Sequence, residues 1–206
     1  MNIHQTNLSA LVVKQLEGSE HFRHKDIELP QNVASFWRWA YSNLAANNLR
    51  GHLAEFLVAS DLNETRTARI EWDDCDIRTQ SGINIEVKSA AYLQSWDQSK
   101  HSAITFSIAP SWPDNTKNDA QINEVVRNSD IYVFCLLAHK NKQTFDPTNL
   151  DQWEFYVLRT KTLDAELGKQ KTLSLGSLLR LNPAKCHYGE IARAINKELG
   201  VKNSGE

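Results

Sequence analysis

Cysteine is scarce in this chain. Its 206 residues include three, Cys75, Cys135 and Cys186. An odd number at wide spacing argues against a disulfide framework or a zinc ribbon. Cys135 lies in an apolar run and reads as a small core residue. A reducing compartment is the simplest expectation. Excess charge is missing too: 23 Lys and Arg stand against 25 Asp and Glu, a formal net charge of −2. Bulk attraction to a polyanion does not follow from that balance, although a local basic patch can coexist with it. No stretch approaches the ~20 apolar residues of a membrane span. The opening "MNIHQTNLSALVVKQLEG" has no basic leader and does not read as a signal peptide. The expectation is a cytoplasmic protein without membrane contact. His21, His24, His101, His139 and His187 form no zinc spacing. Repeats and low-complexity tracts are absent as well.

What is present is an ordinary globular composition, 41% hydrophobic and 23% charged. The length fits one domain over residues 1–206. Within it we expect an N-terminal helical region (1–48), a core (49–138), additional strand and helices (139–200) and a frayed tail (201–206). Leu8 to Leu16 reads as a short helix. Asn32 is a natural N-cap for "VASFWRWAYSNLAAN", with Trp37, Ala40, Tyr41 and Leu44 facing a core. "LRGHLAEFLVASDL" follows as a helix with Leu49, Leu53, Phe56 and Leu57 as its buried stripe. Glu55 sits beside that stripe, one turn after His52. Strands are expected at Arg69–Trp72, Asp76–Thr79, Ile83–Ser89 and Ser102–Ala109. "AQINEVVRNS" reads as helical. Asp130–Ala138 is apolar throughout, the mark of a strand buried on both faces. Trp153–Thr160 alternates as its partner, and "YGEIARAINKELG" closes the chain as a helix ended by Gly200. Interleaved helices and strands predict an α/β class with a central mixed β-sheet flanked by helices.

The chemistry gathers in "DIRTQSGINIEVKSA", residues 76–90. Side chains alternate along a strand, so Glu86 and Lys88 share one face while Ile83, Ile85 and Val87 share the other. A three-residue turn, Gln80-Ser81-Gly82, would pair Ile77 with Ile85 and Asp76 with Glu86. Opposed residues have Cβ atoms roughly 4.5–5.5 Å apart. A two-residue turn would send Asp76 to the other face. Asp73 and Asp74 are the alternatives to Asp76 if the strand begins elsewhere. Two carboxylates in one small site repel unless a cation compensates. Mg²⁺ suits that ligand set, with Mn²⁺ as a substitute. A lysine beside it can hold a nucleophilic water or offset developing charge. That combination points to metal-assisted hydrolysis of a phosphodiester.

Asp76, nine residues, then Glu86-Val87-Lys88 resembles the motif of the PD-(D/E)xK nucleases. Glu55, in "RGHLAEFLVA", matches the acidic residue many members carry on the helix before the active-site hairpin. The similarity spans about residues 49–138; the family's proline is replaced by Cys75. It implies a restriction-endonuclease-like core. Asp76 and Glu86 would be metal ligands, the Val87 carbonyl would complete the shell, and Lys88 would serve the water. Glu55 would be an outer ligand or hold a second metal. Gln94, Gln98, His52 and Ser89 are the accessory candidates. Arg66, Arg69, Arg78, Lys100 and His101 are candidates for phosphate contacts, and Trp96 and Trp112 for base contacts.

The expected function is a Mg²⁺-dependent nuclease acting on DNA, with RNA left open. A homodimer is the simplest way to cut two strands. The competing reading is a catalytically silent nuclease-fold domain that binds nucleic acid or a protein partner.

Overall fold

The computed structural model describes residues 11–70, 74–111 and 125–201. The architecture is mixed α/β, with a five-stranded central sheet flanked by helices, as the interleaved pattern predicts. Its elements in chain order are β1 (His21–His24), β2 (Ile27–Asn32), α1 (Val33–Tyr41), α2 (Asn47–Asp61), β3 (Ile77–Arg78), β4 (Asn84–Ala91), β5 (Thr105–Ser107) and β6 (Ile131–Leu137). Then come β7 (Trp153–Arg159), α3 (Thr160–Leu167), β8 (Thr172–Ser174), α4 (Leu175–Arg180), β9 (Ala184–Cys186) and α5 (Ile191–Leu199). The central sheet has the order β3-β4-β6-β7-β9. β4 and β6 run parallel, and the other neighbours are antiparallel.

β6 is the middle strand, and every residue of it is buried. Its apolar run supplies both faces. Ile131, Val133, Cys135 and Leu137 join Ile85, Val87, Trp153, Phe155 and Val157 on one face, where Ala54, Leu57 and Val58 of α2 and Ile191 and Ile195 of α5 cover them. Tyr132, Phe134 and Leu136 join Ala90, Tyr156 and Leu158 on the other. That face is covered by Ile104, Phe106 and Ile108 around β5, with Leu163, Leu173 and Leu178 from α3, β8 and α4. Asp61, at the end of α2, accepts from the Ala192 N–H at 3.0 Å and from Gly189 N–H, tying α2 to the start of α5. Gly200 ends α5 in the left-handed conformation, φ 72°.

Several expectations change. Residues 11–16 are not helical; Leu8 to Ala10 lie outside the described residues. The region 1–48 is not simply helical either, because β1 and β2 form a hairpin ahead of α1. Asn32 does cap α1, accepting from Ser35 N–H at 2.9 Å in a capping box. α1 then stops at Tyr41 and buries none of its residues. Trp37 is 39% exposed rather than a core residue, because it lies over Gly18 and not over the sheet. On α2, Leu49 and Leu57 are buried, but Phe56 is 56% exposed. Its position turns it past the sheet and towards solvent. Residues 125–129 of the segment read as helical are irregular, and Val126 bridges to Ser111. Arg69 and Ile70 are not in a strand. Glu71, Trp72, Asp73, Trp112, residues 120–124 and the tail from 202 lie outside the described residues.

Candidate active site

The hairpin between β3 and β4 takes the three-residue turn. Ile77 pairs with Ile85 and Arg78 with Asn84. Thr79 N–H donates to the Ile83 carbonyl at 3.0 Å, and Ile83 N–H returns a bond to Thr79 Oγ1 at 2.9 Å. Gly82 has φ 84°, the left-handed conformation this turn needs. One residue outward in the same register, Asp76 stands beside Glu86. β3 is only two residues long, so it does not cover β4 beyond Ile85. The Asp76 carboxylate takes over there, its Oδ2 accepting from Val87 N–H at 2.7 Å. A residue's N–H and C=O leave an extended strand on the same side. The Val87 carbonyl therefore faces this edge too. Asp74 is exposed in the bend before Cys75, and Asp73 is outside the described residues.

Glu86 is partly buried. Lys88 Nζ donates to its Oε1, and Ser129 Oγ donates to its Oε2 at 3.3 Å. The parallel pairing sets Tyr132 directly beside Glu86. Burial and then the Glu86 charge hold the Tyr132 phenol well above its ordinary range. Asp76 is perturbed in the same sense: burial first, then the Glu86 carboxylate, push its pKa to about 6, against the opposing pull of Lys88 and the Val87 N–H.

α2 crosses this edge and brings Glu55 to it. Glu55 is ion-paired with Arg69, whose Nη2 donates to Oε1 at 3.2 Å. A cleft of about 340 Å³ opens here, between α2, residues 64–70 and the strand edge at 75–78. Glu55, Asp76, His52, Arg69 and Arg78 line it. Arg69, a candidate for phosphate contact, thus meets the Glu55 carboxylate.

The accessory candidates divide. His52 lines the cleft. Ser89 shares the face of Ile85 and Val87, opposite Glu86 and Lys88. Gln94 is buried and holds the loop after β4, donating to the Ala91 carbonyl at 3.0 Å and Ser102 Oγ at 3.2 Å, and accepting from Arg50 at 3.2 Å. Gln98 accepts from Gln94 N–H at 2.7 Å. Both glutamines thus bond to the loop after β4, and Gln94 also to Arg50. His101 stacks edge-on with Tyr92 and contacts the Lys140 carbonyl at 3.1 Å. Trp96 is exposed. Ser129, Tyr132 and Arg50 are not among the sequence candidates: Ser129 and Tyr132 are remote from Glu86 along the chain, and Arg50, although it stands just before Glu55, carries no pattern that sets it apart.

Among the described residues no three His, Cys, Asp or Glu side chains gather into a metal-holding group. The donor set nevertheless fits Mg²⁺, which takes one or two protein carboxylates and fills its shell with water. A cation between Asp76 and Glu86 would also relieve the repulsion that raises the Asp76 pKa.

Among the described residues no helix is long and apolar enough to cross a membrane. No curated protein and no solved structure matches the chain significantly. The family model of bacteriophage T4 endonuclease IV matches residues 2–176, a span that takes in the whole β3–β4 hairpin and the cleft beside it. The chain therefore belongs to the bacteriophage T4 endonuclease IV family, a nuclease family.

Proposed function

We propose that this protein is a metal-dependent endonuclease of DNA whose site is of the PD-(D/E)xK kind, built from Asp76, Glu86 and Lys88 with Glu55 at its rim. The observation that carries this reading is the hairpin edge itself. It sets a desolvated aspartate against a second carboxylate with an ammonium on the same face. Family membership supports the nuclease activity and DNA as substrate.

Asp76, Glu86 and the Val87 carbonyl would hold Mg²⁺, with Mn²⁺ as a substitute. The bound ion supplies charge neutralisation and Lewis acidity at the phosphodiester. Asp76 keeps its carboxylate aimed at the edge through the Val87 N–H bond. Lys88 holds a proton close to Glu86, where it positions the attacking water or offsets charge on the phosphate. Ser129 fixes the second oxygen of Glu86. Glu55 takes part only once Arg69 lets go of it.

The test is cleavage of supercoiled and linear DNA in Mg²⁺, Mn²⁺ or EDTA, beside Asp76→Asn and Lys88→Ala. Metal-dependent cutting should fall at least ~100-fold in both variants. Cutting that persists in EDTA, or survives in both variants, would sink the reading.

A further inference from the structure

α2 starts at Asn47 behind Ala46, and no side chain caps it. Its first helical hydrogen bond is from Arg50 N–H to the Ala46 carbonyl, at 2.8 Å. The amides of Asn47, Asn48 and Leu49 precede the ladder. Asn47 and Asn48 are exposed, so this helix end opens to solvent. Arg50 is only 5% exposed, and its guanidinium turns back to the same helix end. Nη2 donates to Asn47 Oδ1 at 2.9 Å, and Nη1 reaches the Ala45 carbonyl at 3.4 Å and Gln94 Oε1 at 3.2 Å. Every one of these acceptors is neutral. Among the described residues Arg50 has no carboxylate partner, and its buried Nε has no acceptor.

This is an unfavourable place for a cation. Burial lowers the guanidinium pKa. The positive end of the helix dipole opposes it further. Buried charges are otherwise paired. An anion at the helix start answers all three: it would meet the open amides, the dipole and the uncompensated guanidinium together.

We propose that Arg50 and the first turn of α2 form a binding site for a backbone phosphate of the nucleic-acid strand, separate from the carboxylates and beside them. As a substrate site it rests on the nuclease reading. Arg50 precedes Glu55 by five residues, about 7.5 Å of helix. Ala91, whose carbonyl Gln94 holds, lies three residues past Lys88, about 10 Å of strand. Gln94 and Gln98 then act as positioning residues, fixing the guanidinium from the loop after β4.

The test uses the full chain and a fluorescein-labelled DNA oligonucleotide, in EDTA so that nothing is cut. Arg50→Met keeps the buried stem and removes the charge. It should weaken binding about tenfold and reduce the slope of log Kd against log salt by about one. Arg50→Lys should retain part of both. An unchanged affinity and slope in a folded Arg50→Met protein overturns the proposal. If the variant does not fold, the wild-type chain decides by ¹⁵N NMR. Inorganic phosphate at constant ionic strength should shift the Asn47, Asn48 and Leu49 amides, and no shift overturns the site. Oligonucleotides with a 5′-phosphate or a 5′-hydroxyl separate the two sources of phosphate: an Arg50 effect in both assigns an internal diester, and one confined to the former assigns a terminal monoester. Wild-type cleavage is scored alongside. Binding lost in Arg50→Met without any wild-type cleavage rejects the nuclease reading and keeps the anion site; cleavage with no Arg50 effect does the reverse.

Discussion

Asp76 carries the clearest electrostatic signature of the site. Its pKa stands at about 6 against an ordinary 3.8, chiefly through burial and then through Glu86. The folded chain thus favours the protonated acid. That stabilisation is complete below the ordinary value and is lost as pH rises through about 6. At pH 8 without metal, the wild type carries an ionised, crowded carboxylate. Asp76→Asn should then be the more stable protein, by on the order of 2 kcal/mol after allowing for partial exposure. Thermal melts in EDTA should show the gap at pH 8 and none at pH 3.5. A variant less stable at pH 8 would mean that the Val87 bond outweighs the repulsion. Mg²⁺ should raise the melting point of the wild type at pH 8 and leave Asp76→Asn unmoved, and its affinity should fall as pH drops through about 6.

The hairpin is the element that carries the proposed site. Its alternation could be read from Ile83-Asn84-Ile85-Glu86-Val87-Lys88, because period two sends charge one way and apolar side chains the other. Its register depended on the turn. Gly82 at φ 84° is what holds that turn, and no atom lies within 4 Å of where its Cβ would be. Gly82→Ala should therefore cost only backbone strain, about 1 kcal/mol, read from the urea midpoint. A far larger loss would point to packing instead. The other elements fared unevenly. α2, β6, β7 and α5 follow strong apolar patterns and lie where those patterns put them. β1, β2, β8 and β9 carry no such pattern. Only pairing makes them strands, with each other for β1 and β2, and with remote strands for β8 and β9. α1 has aromatic residues at helical spacing, yet Trp39 is 85% exposed. Spacing announces a helix; it does not say whether a sheet lies beneath.

At the scale of the whole molecule, Arg127 joins pieces that the chain keeps far apart. Its side chain is 1% exposed and pairs with Asp164. It also donates to the carbonyls of Ile108, Gly168 and Gln170, each at 2.9 Å. These contacts lock the segment before β6 to β5 and to the α3–β8 turn, the layer over the second face of the sheet. Arg127→Met should cost about 3 kcal/mol, since it deprives three carbonyls of a shared, charged donor. Asp164→Asn should cost less than ~1 kcal/mol, because Asp164 is half exposed. Chemical denaturation of both variants checks this, and equal losses would make the ion pair, not the carbonyls, the source of stability.

The sequence by itself determined the α/β class, the doubly buried β6, the helix that carries Glu55, and the shared face of Glu86 and Lys88. All of these follow from periodicity and local turn chemistry, which act over a few residues. The tertiary structure alone decided that Glu55 meets Arg69, that Ser129 and Tyr132 flank Glu86, and that Gln94 serves Arg50. Those contacts join residues that are remote along the chain. Parallel pairing of β4 with β6 and the crossing of α2 over the sheet edge bring them together, and no short window of sequence encodes either.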